Sequence, residues 1–337
     1  MRAAKSAGRE LNVTLAVDAD SDAMRVYECN FSNPIGNFLC SDIKTLFDIS
    51  REARKLTHKE RGLAKATGRV DIVVAGPPCQ GHSSLNNVSR GFDPRNLLYW
   101  APVRAAMIMQ PKVLLIENVP GVTASQERVI EGAREFLTKI GYSVSESTMN
   151  LSEFGVPQQR KRHVLVASEN HFDLSKYINS RRQVVSSRVL DAIADIADIA
   201  TYDGSPFDRA TTVSKDNRAR IDYLFDNDLY DLPNFLRPPC HRDKNHSYVS
   251  MYGRIHPDRP AQTITGGFGS MGQGRFVHPT RRRMITAHEA ARLQGFSDKF
   301  DFSAAPDMSS LRQMIGNAAP PSLSECVVGG LLSQGRL

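Results

Sequence analysis

The sequence predicts a doubly wound α/β fold with a second, smaller and irregular region late in the chain. Three observations lead there. Short apolar runs at 13–17, 71–75, 113–116 and 163–167 have the length and continuity of strands buried on both faces of a parallel sheet. Stretches with helical spacing, at 22–29, 96–109 and 126–140, alternate with them as crossover helices do. The alternation then stops near Glu169.

The run at 13–17 leads into Asp18-Ala19-Asp20, and a helix is expected from Asp22. The run at 71–75 (Asp-Ile-Val-Val-Ala) feeds Gly76-Pro77-Pro78-Cys79, and the run at 113–116 ends in Glu117-Asn118-Val119-Pro120. Gly141 stops the helix over 126–140, because glycine accepts the left-handed conformation that closes a helix. Residues 171–258 are polar and without a dominant period, so they read as a separate loop-rich region. Two helical patterns, 287–293 and 322–332, close the chain, the second after Pro320-Pro321, which suits a first helical turn. The expected division is a catalytic domain over 1–170, a second domain over 171–283, and a segment over 284–337 returning to the first.

Composition narrows the function classes. At 337 residues and 41% hydrophobic content the chain can bury a sizeable core and exceeds one typical domain. Lysine and arginine total 43 against 36 acids, a net charge of +7, which permits an anionic partner such as nucleic acid. The five cysteines, Cys29, Cys40, Cys79, Cys240 and Cys326, form no Cys-x-x-Cys pair. A disulfide framework or metal site is therefore not expected, and a reducing cytoplasm is the natural setting. No membrane span is expected, since no run reaches roughly 18 apolar residues, and the first residues lack the apolar core of a signal peptide.

The thiol in GPPCQGHSS, residues 76–84, raises the chemical question. In an open α/β sheet, reactive groups gather beyond the carboxyl ends of the strands. Pro77 and Pro78 fix φ there and pre-orient the cysteine after them. A thiolate is a strong nucleophile once its proton is taken; the alternative is a turn holding a small buried cysteine. Glu117 ends the next strand, where a carboxylate can engage a ring nitrogen while sulfur attacks a ring carbon; a solvated strand-end glutamate is the plain alternative. In Gln158-Gln159-Arg160-Lys161-Arg162, alternate residues of an extended segment share a face. Arg160 and Arg162 then point the same way, to hold a ring oxygen or phosphate, or to guard a strand edge against aggregation.

These blocks, in this order, resemble the DNA cytosine-5 methyltransferases of bacterial restriction–modification type. The matching stretches are GPPCQGHS (76–83), DPRN (93–96), ENVPG (117–121), QQRKR (158–162), RPAQTITGG (259–267), LQGF (293–296) and GNAAPP (316–321). The resemblance implies a Rossmann-like methyltransferase sheet with a target-recognition domain. It implies sequence-specific methylation of cytosine C5 in double-stranded DNA with S-adenosylmethionine, through a Cys–C6 intermediate on a flipped base. Cys79 is then the nucleophile, Glu117 binds N3 and the exocyclic amine, Arg162 holds O2, and Arg160 supports the loop. For the cofactor, Asp18 resembles the acid that bonds the ribose, Asp42 and Ile43 the pair that meets adenine, and Leu98 and Asn317 further contacts. Pro77 belongs to the same cofactor-side set.

Arg281-Arg282-Arg283 either line the cleft or face water. The family pattern opens with a strand and a Phe-x-Gly-x-Gly loop, and nothing before Leu11 matches it, so an incomplete cofactor pocket is expected. A monomeric chain with an N-terminal complement is the expected working form, without metal or membrane. Two alternatives stand beside methylation of DNA: a catalytically silent DNA-binding relative, and a transfer-RNA cytosine methyltransferase, whose Cys-Phe-Thr block is not found here.

Overall fold

The structure is a computed structural model. It describes residues 4–5, 7–31, 36–50, 55–78, 94–125, 127–182, 187–196, 206–243 and 250–337. The first crossover starts at Asp20, whose carboxylate accepts from the N–H groups of Asp22 and Ala23 at 2.9 and 3.1 Å and so caps the helix α1 (Ser21–Phe31). That helix returns the chain so that β1 (Leu15–Asp18) and β2 (Asn37–Cys40) pair in parallel, with Asp18 beside Cys40. A capping box between Thr57 and Glu60 opens α2 (His58–Thr67). The next unit runs from β3 (Ile72–Ala75) through α3 (Trp100–Met109) to β4 (Val113–Asn118), again parallel. After α4 (Val129–Lys139) and β5 (Ser143–Asn150), the chain turns through β6 (Gln158–Gln159) and re-enters the sheet as β7 (Lys161–Ser168).

The larger sheet has the order β3-β4-β7-β5. Its inner residues, Leu114, Ile116, Leu165 and Ala167, meet Val103 and Ala106 of α3 and Val129, Ala133 and Leu137 of α4 in one buried cluster. β1 and β2 form a separate two-stranded sheet. A second apolar cluster ties the two sheets: Phe47, Ala105 and Ile108 pack with Ile43, Leu46, Leu63 and Val73. Among the described residues, β1 and β3 each leave one edge without a strand partner, and Val74 on β3 is 59% exposed.

The doubly wound reading holds, with two differences in the strands. The run expected as a parallel strand at 163–167 pairs antiparallel to both β4 and β5. The short reversal over 151–160 leaves no crossover helix to turn the chain round, so the returning strand runs the opposite way. β5, Ser-Val-Ser-Glu-Ser-Thr-Met-Asn, was not expected, because its polar alternation hides a strand that is only half buried.

The chain divides into two compact units, one of residues 1–150, 161–182 and 323–337, the other of 151–160 and 183–322. The first also holds α5 (Leu174–Arg181). In the second, β6 pairs in parallel with β8 (Ala261–Gln262), which lies in the RPAQTITGG stretch. Its helices are α6 (Val189–Ile193), α7 (Lys215–Asp226), α8 (Pro239–Arg242), α9 (Ala287–Leu293) and α10 (Met308–Asn317). The last helix, α11 (Pro321–Ser333), lies in the first unit from Leu323 on. The region read as loop-rich thus contains a 12-residue helix, α7. Only Ile221 and Leu224 of α7 are buried, too few apolar positions to set a visible period.

One buried ion pair anchors the packing of α2 on α3. Arg104 donates from Nε and Nη2 to the two carboxylate oxygens of Glu60, both bonds 2.8 Å, and neither side chain is more than 4% exposed. Burial alone would raise the Glu60 carboxyl. The Arg104 guanidinium and the N–H groups of Asp48 and Thr57 overcome that and hold it down at about 2. Replacing Glu60→Gln leaves Arg104 buried without its counter-charge and is expected to cost about 3–5 kcal/mol in urea unfolding. Because the folded value is depressed, the wild-type chain keeps this contribution above pH 4.5 and loses it as pH falls toward about 2, whereas the variant's acid unfolding lacks that component.

Candidate active site

The site begins with strand register. β4 and β7 run antiparallel with Asn118 opposite His163 and Glu117 opposite Val164. Arg162 therefore emerges beside the carboxyl end of β4. Its Nε lies 2.5 Å from Glu117 Oε1, and the two side chains are 11% and 14% exposed. Mostly shielded from water, the pair attracts more strongly than a surface pair and holds both groups in one orientation.

The neighbouring strand end is tied to the same place. Asn118 donates from Nδ2 to the Pro77 carbonyl at 3.2 Å and accepts from the Val119 N–H at 2.8 Å through Oδ1. A Cβ added to Gly76 would sit 3.5 Å from Glu117 Oε2, so the carboxylate lies against the start of the proline loop. Cys79, two residues past Pro77, lies outside the described residues. A carboxylate accepts and a guanidinium donates, so this pair is chemically matched to a heterocycle edge that carries a donor beside a carbonyl oxygen.

Asn118 is a positioning residue that sequence reading passed over. Its signal was an asparagine next to a strand-end glutamate, where an amide can satisfy both a carbonyl and an N–H.

The structure corrects the expectation that Arg160 and Arg162 share a face. The extended backbone breaks at Arg160, between β6 and β7. Arg160 is 1% exposed, and its guanidinium donates to the carbonyls of Ile264, Gly316 and Ala318 at 2.8, 3.0 and 3.0 Å. Its fork serves backbone carbonyls.

Gln158, fully buried, extends the same network. It accepts from the Ile264 N–H at 2.7 Å and donates to Leu293 O and Gln294 Oε1, while Gln294 donates to Ile315 O at 2.6 Å. The QQRKR, RPAQTITGG, LQGF and GNAAPP blocks thus meet in one hydrogen-bonded knot. At Gly316 any Cβ would fall 2.1 Å from the Gly266 nitrogen, so backbone approaches backbone directly there.

The residues expected to face the cofactor divide between the units. Asp18 ends β1, exposed, with one oxygen accepting from the Asp20 N–H at 2.9 Å. Asp42 follows the adjacent end of β2 and accepts from the Lys44 N–H at 3.0 Å, while Ile43 packs into the cluster around Phe47. These three share the carboxyl end of one parallel pair. Leu98 is half-buried in the 3₁₀ turn Pro94–Tyr99, and Asn317 is the exposed last residue of α10 in the other unit.

The Arg281-Arg282-Arg283 run divides, Arg282 facing water and its neighbours turning inward. Arg283 donates to both oxygens of the fully buried Glu289, at 2.7 and 2.8 Å, and Arg281 reaches the same carboxylate at 3.4 Å. Burial would raise that carboxyl, but Arg283 and His278 pull it down to about 2. Arg282 pairs with Asp226 at 2.5 Å.

Two solved structures that align along nearly the whole chain are of methyltransferases. The S. pombe Dnmt2 methyltransferase superposes with a TM-score of 0.67 at 16% identity, over 99% of this chain and 95% of that one. The Entamoeba histolytica methyltransferase EhMeth gives 0.62 at 15% identity, over 98% and 93%. The fold is accordingly the Rossmann-like methyltransferase fold. The model of the C-5 cytosine-specific DNA methylases matches residues 2–332, and the chain belongs to that family. Among curated relatives, the type II methyltransferase M1.BsuMI of Bacillus subtilis is 39% identical over 322 residues, spanning 96% of this chain and 74% of the relative. The type II methyltransferase M1.HphI of Haemophilus parahaemolyticus is 29% identical over 324 residues, spanning 94% and 80%.

Arg160→Lys tests the knot. One ammonium cannot reproduce a planar fork that serves three carbonyls, so a loss of about 2–4 kcal/mol is expected in chemical unfolding. An Arg162→Lys variant, which keeps a cation facing Glu117 and releases no set of backbone carbonyls, is expected to lose less than Arg160→Lys.

Proposed function

We propose that the chain methylates C5 of cytosine in double-stranded DNA with Cys79 as nucleophile, as the modification enzyme of a restriction–modification system. The observation that carries this is the Glu117–Arg162 pair held against the root of the Pro77 loop, in a chain of the cytosine-C5 family. The target base leaves the stack, at a cost of roughly a few kcal/mol, because a thiol cannot reach C6 inside a duplex. The Cys79 thiolate adds to C6 while Glu117 bonds the N3 edge and the amine and Arg162 holds O2. The electron pair displaced from the C5–C6 bond then resides at C5, which takes the methyl group. A base then takes the C5 proton, the pair of the broken C5–H bond re-forms the C5–C6 double bond, and the C6–S pair leaves on sulfur to release the Cys79 thiolate.

S-adenosylmethionine supplies the electrophilic methyl group when bound. The residues present suit its adenosine half: Asp18 offers a carboxylate to ribose hydroxyls at the end of β1, and Asp42-Ile43 lie at the adjacent strand end for adenine. Pro77 and Leu98 follow on the same unit, and Asn317 is assigned to the same cofactor. The open edges of β1 and β3, with Val74 exposed, support a further parallel strand completing the sheet in the working monomer.

Within this reading, the second unit reads the flanking bases and Arg160 holds its core blocks together. The transfer-RNA alternative is not favoured, since the relatives reported are type II enzymes and the family model is of DNA methylases. Among the described residues no helix is long and apolar enough to cross a membrane, and no cluster of metal-ligating side chains occurs. The substrate lies in the nucleoid, so the reading is a cytoplasmic one.

Cys79→Ser is expected to abolish methyl transfer to unmethylated plasmid DNA while leaving DNA binding near wild type. The wild-type chain should form a covalent adduct with 5-fluorocytosine DNA, seen as a shifted band on a denaturing gel, and the variant should not. Methylation at the wild-type rate by Cys79→Ser would overturn the assignment.

A further inference from the structure

Positive charge is unevenly spread along the chain. Residues 51–69 hold seven lysines and arginines against two acids, so these 19 residues carry +5 of the net +7. From residue 55 on, the stretch is α2 with its two flanks. The helix turns Glu60 and Thr67 inward and sets Leu63 and Ala64 in the apolar cluster around Phe47. His58, Arg61 and Lys65, at helical spacings of three and four, share the opposite face. All three are exposed, as are Lys55 and Arg69 at the two ends.

This charge is not met inside the fold. Among the described residues, none of these five side chains pairs with an acid. Glu60 is taken by Arg104. Asp71, 61% exposed, pairs with Lys112 at 2.8 Å, and those two charges cancel locally. That leaves Asp48, half-buried on the Ser50 N–H, against Lys55, Lys59, Arg61, Lys65 and Arg69. The fold gains nothing from the arrangement. Arg61 and Lys65 stand one turn apart and repel. Gly62 is exposed within the helix, and a Cβ there would meet nothing within 4 Å, so packing does not call for glycine where alanine would hold the helix better. Local costs of this kind mark functional surfaces. Here they leave cations around a stretch of bare helix backbone, open to close approach by an anion.

We infer that the outward face of α2 binds the phosphate backbone of duplex DNA without reading its sequence, as a docking surface additional to the Glu117–Arg162 site. The inference rests on the DNA-methylation reading for its partner. A duplex presents one phosphate charge per roughly 1.7 Å of axis, so a row of cations along one helix face meets several at once. A lipid surface fits poorly, because membrane-lying helices present large apolar side chains to the bilayer. On its outward side α2 has only Gly62 and Ala66 beside the charged residues, and Leu63 packs inward.

The test compares the full-length wild type with the triple variant Arg61→Gln, Lys65→Gln, Arg69→Gln, and with a charge-matched control, Lys139→Gln, Lys176→Gln, Lys299→Gln, whose lysines are exposed elsewhere. Binding to a fluorescent duplex of arbitrary sequence is read by anisotropy across a salt series. The triple variant should bind at least about tenfold more weakly at low salt, and its slope of log K against log salt should be shallower by about 2–3. The control should stay close to wild type in both. In methylation of plasmid DNA the triple variant should raise KM and keep kcat and the set of methylated sites. Its melting temperature should equal or exceed that of the wild type, since a repulsion is removed. A triple variant with the wild-type affinity and slope overturns the proposal, and so does a control that loses as much. Lost binding to vesicles of anionic lipid with duplex binding unchanged would assign the face to a membrane and overturn it too. Should the wild type bind duplex but fail to methylate, the functional reading falls, while the salt series still decides the role of α2.

Discussion

Asn118 faces His163 across the antiparallel pairing of β4 and β7, and this register delivers Arg162 to Glu117. Side chains alternate faces along a strand, so a slip of one residue would send Arg162 to the opposite side of the sheet and leave Glu117 without its partner. The register is held by the packing behind it. Leu114, Ile116, Leu165 and Ala167 are fully buried against α3 and α4, and any shift would expose them. The chemistry at the sheet's edge is therefore fixed by apolar packing at its centre, and Asn118 carries that order one step further by binding the Pro77 carbonyl.

The second unit solves a different problem, bringing together short blocks that lie far apart in the chain. Gln158 and Arg160 do this with hydrogen bonds to backbone, beside an apolar core that includes Ile264, Phe268, Phe276 and Ile315. Buried polar networks of this kind are stable only when complete. The same economy governs the cations. A net charge of +7 suggests a basic face, yet Arg104, Arg160, Arg281 and Arg283 serve internal partners.

Much of this was legible beforehand, and the exceptions have physical causes. The apolar runs at 71–75 and 113–116 gave β3 and β4 because strands buried on both faces need continuous hydrophobicity. β5 and α7 escaped because each buries few side chains, so neither leaves a strong period. Glu117 and Arg162 were found as chemical types at strand ends, and their direct pairing arises from an antiparallel strand that the run of 163–167 could not reveal. Arg160 was misjudged on alternation, which holds only while the backbone stays extended. The internal use of Arg281 and Arg283 depends on Glu289, whose burial shows only once α9 is packed.

The central claim is that Glu117 and Arg162 act as one unit on the pyrimidine edge. Release of tritium from DNA labelled at cytosine C5, measured without the methyl donor, isolates the ring-activation step proposed for these two groups. The account predicts release by the wild type and a fall of at least about a hundredfold in Arg162→Leu, the loss expected when a positioned donor to a developing charge is removed. Release by Arg162→Leu at the wild-type rate would contradict it.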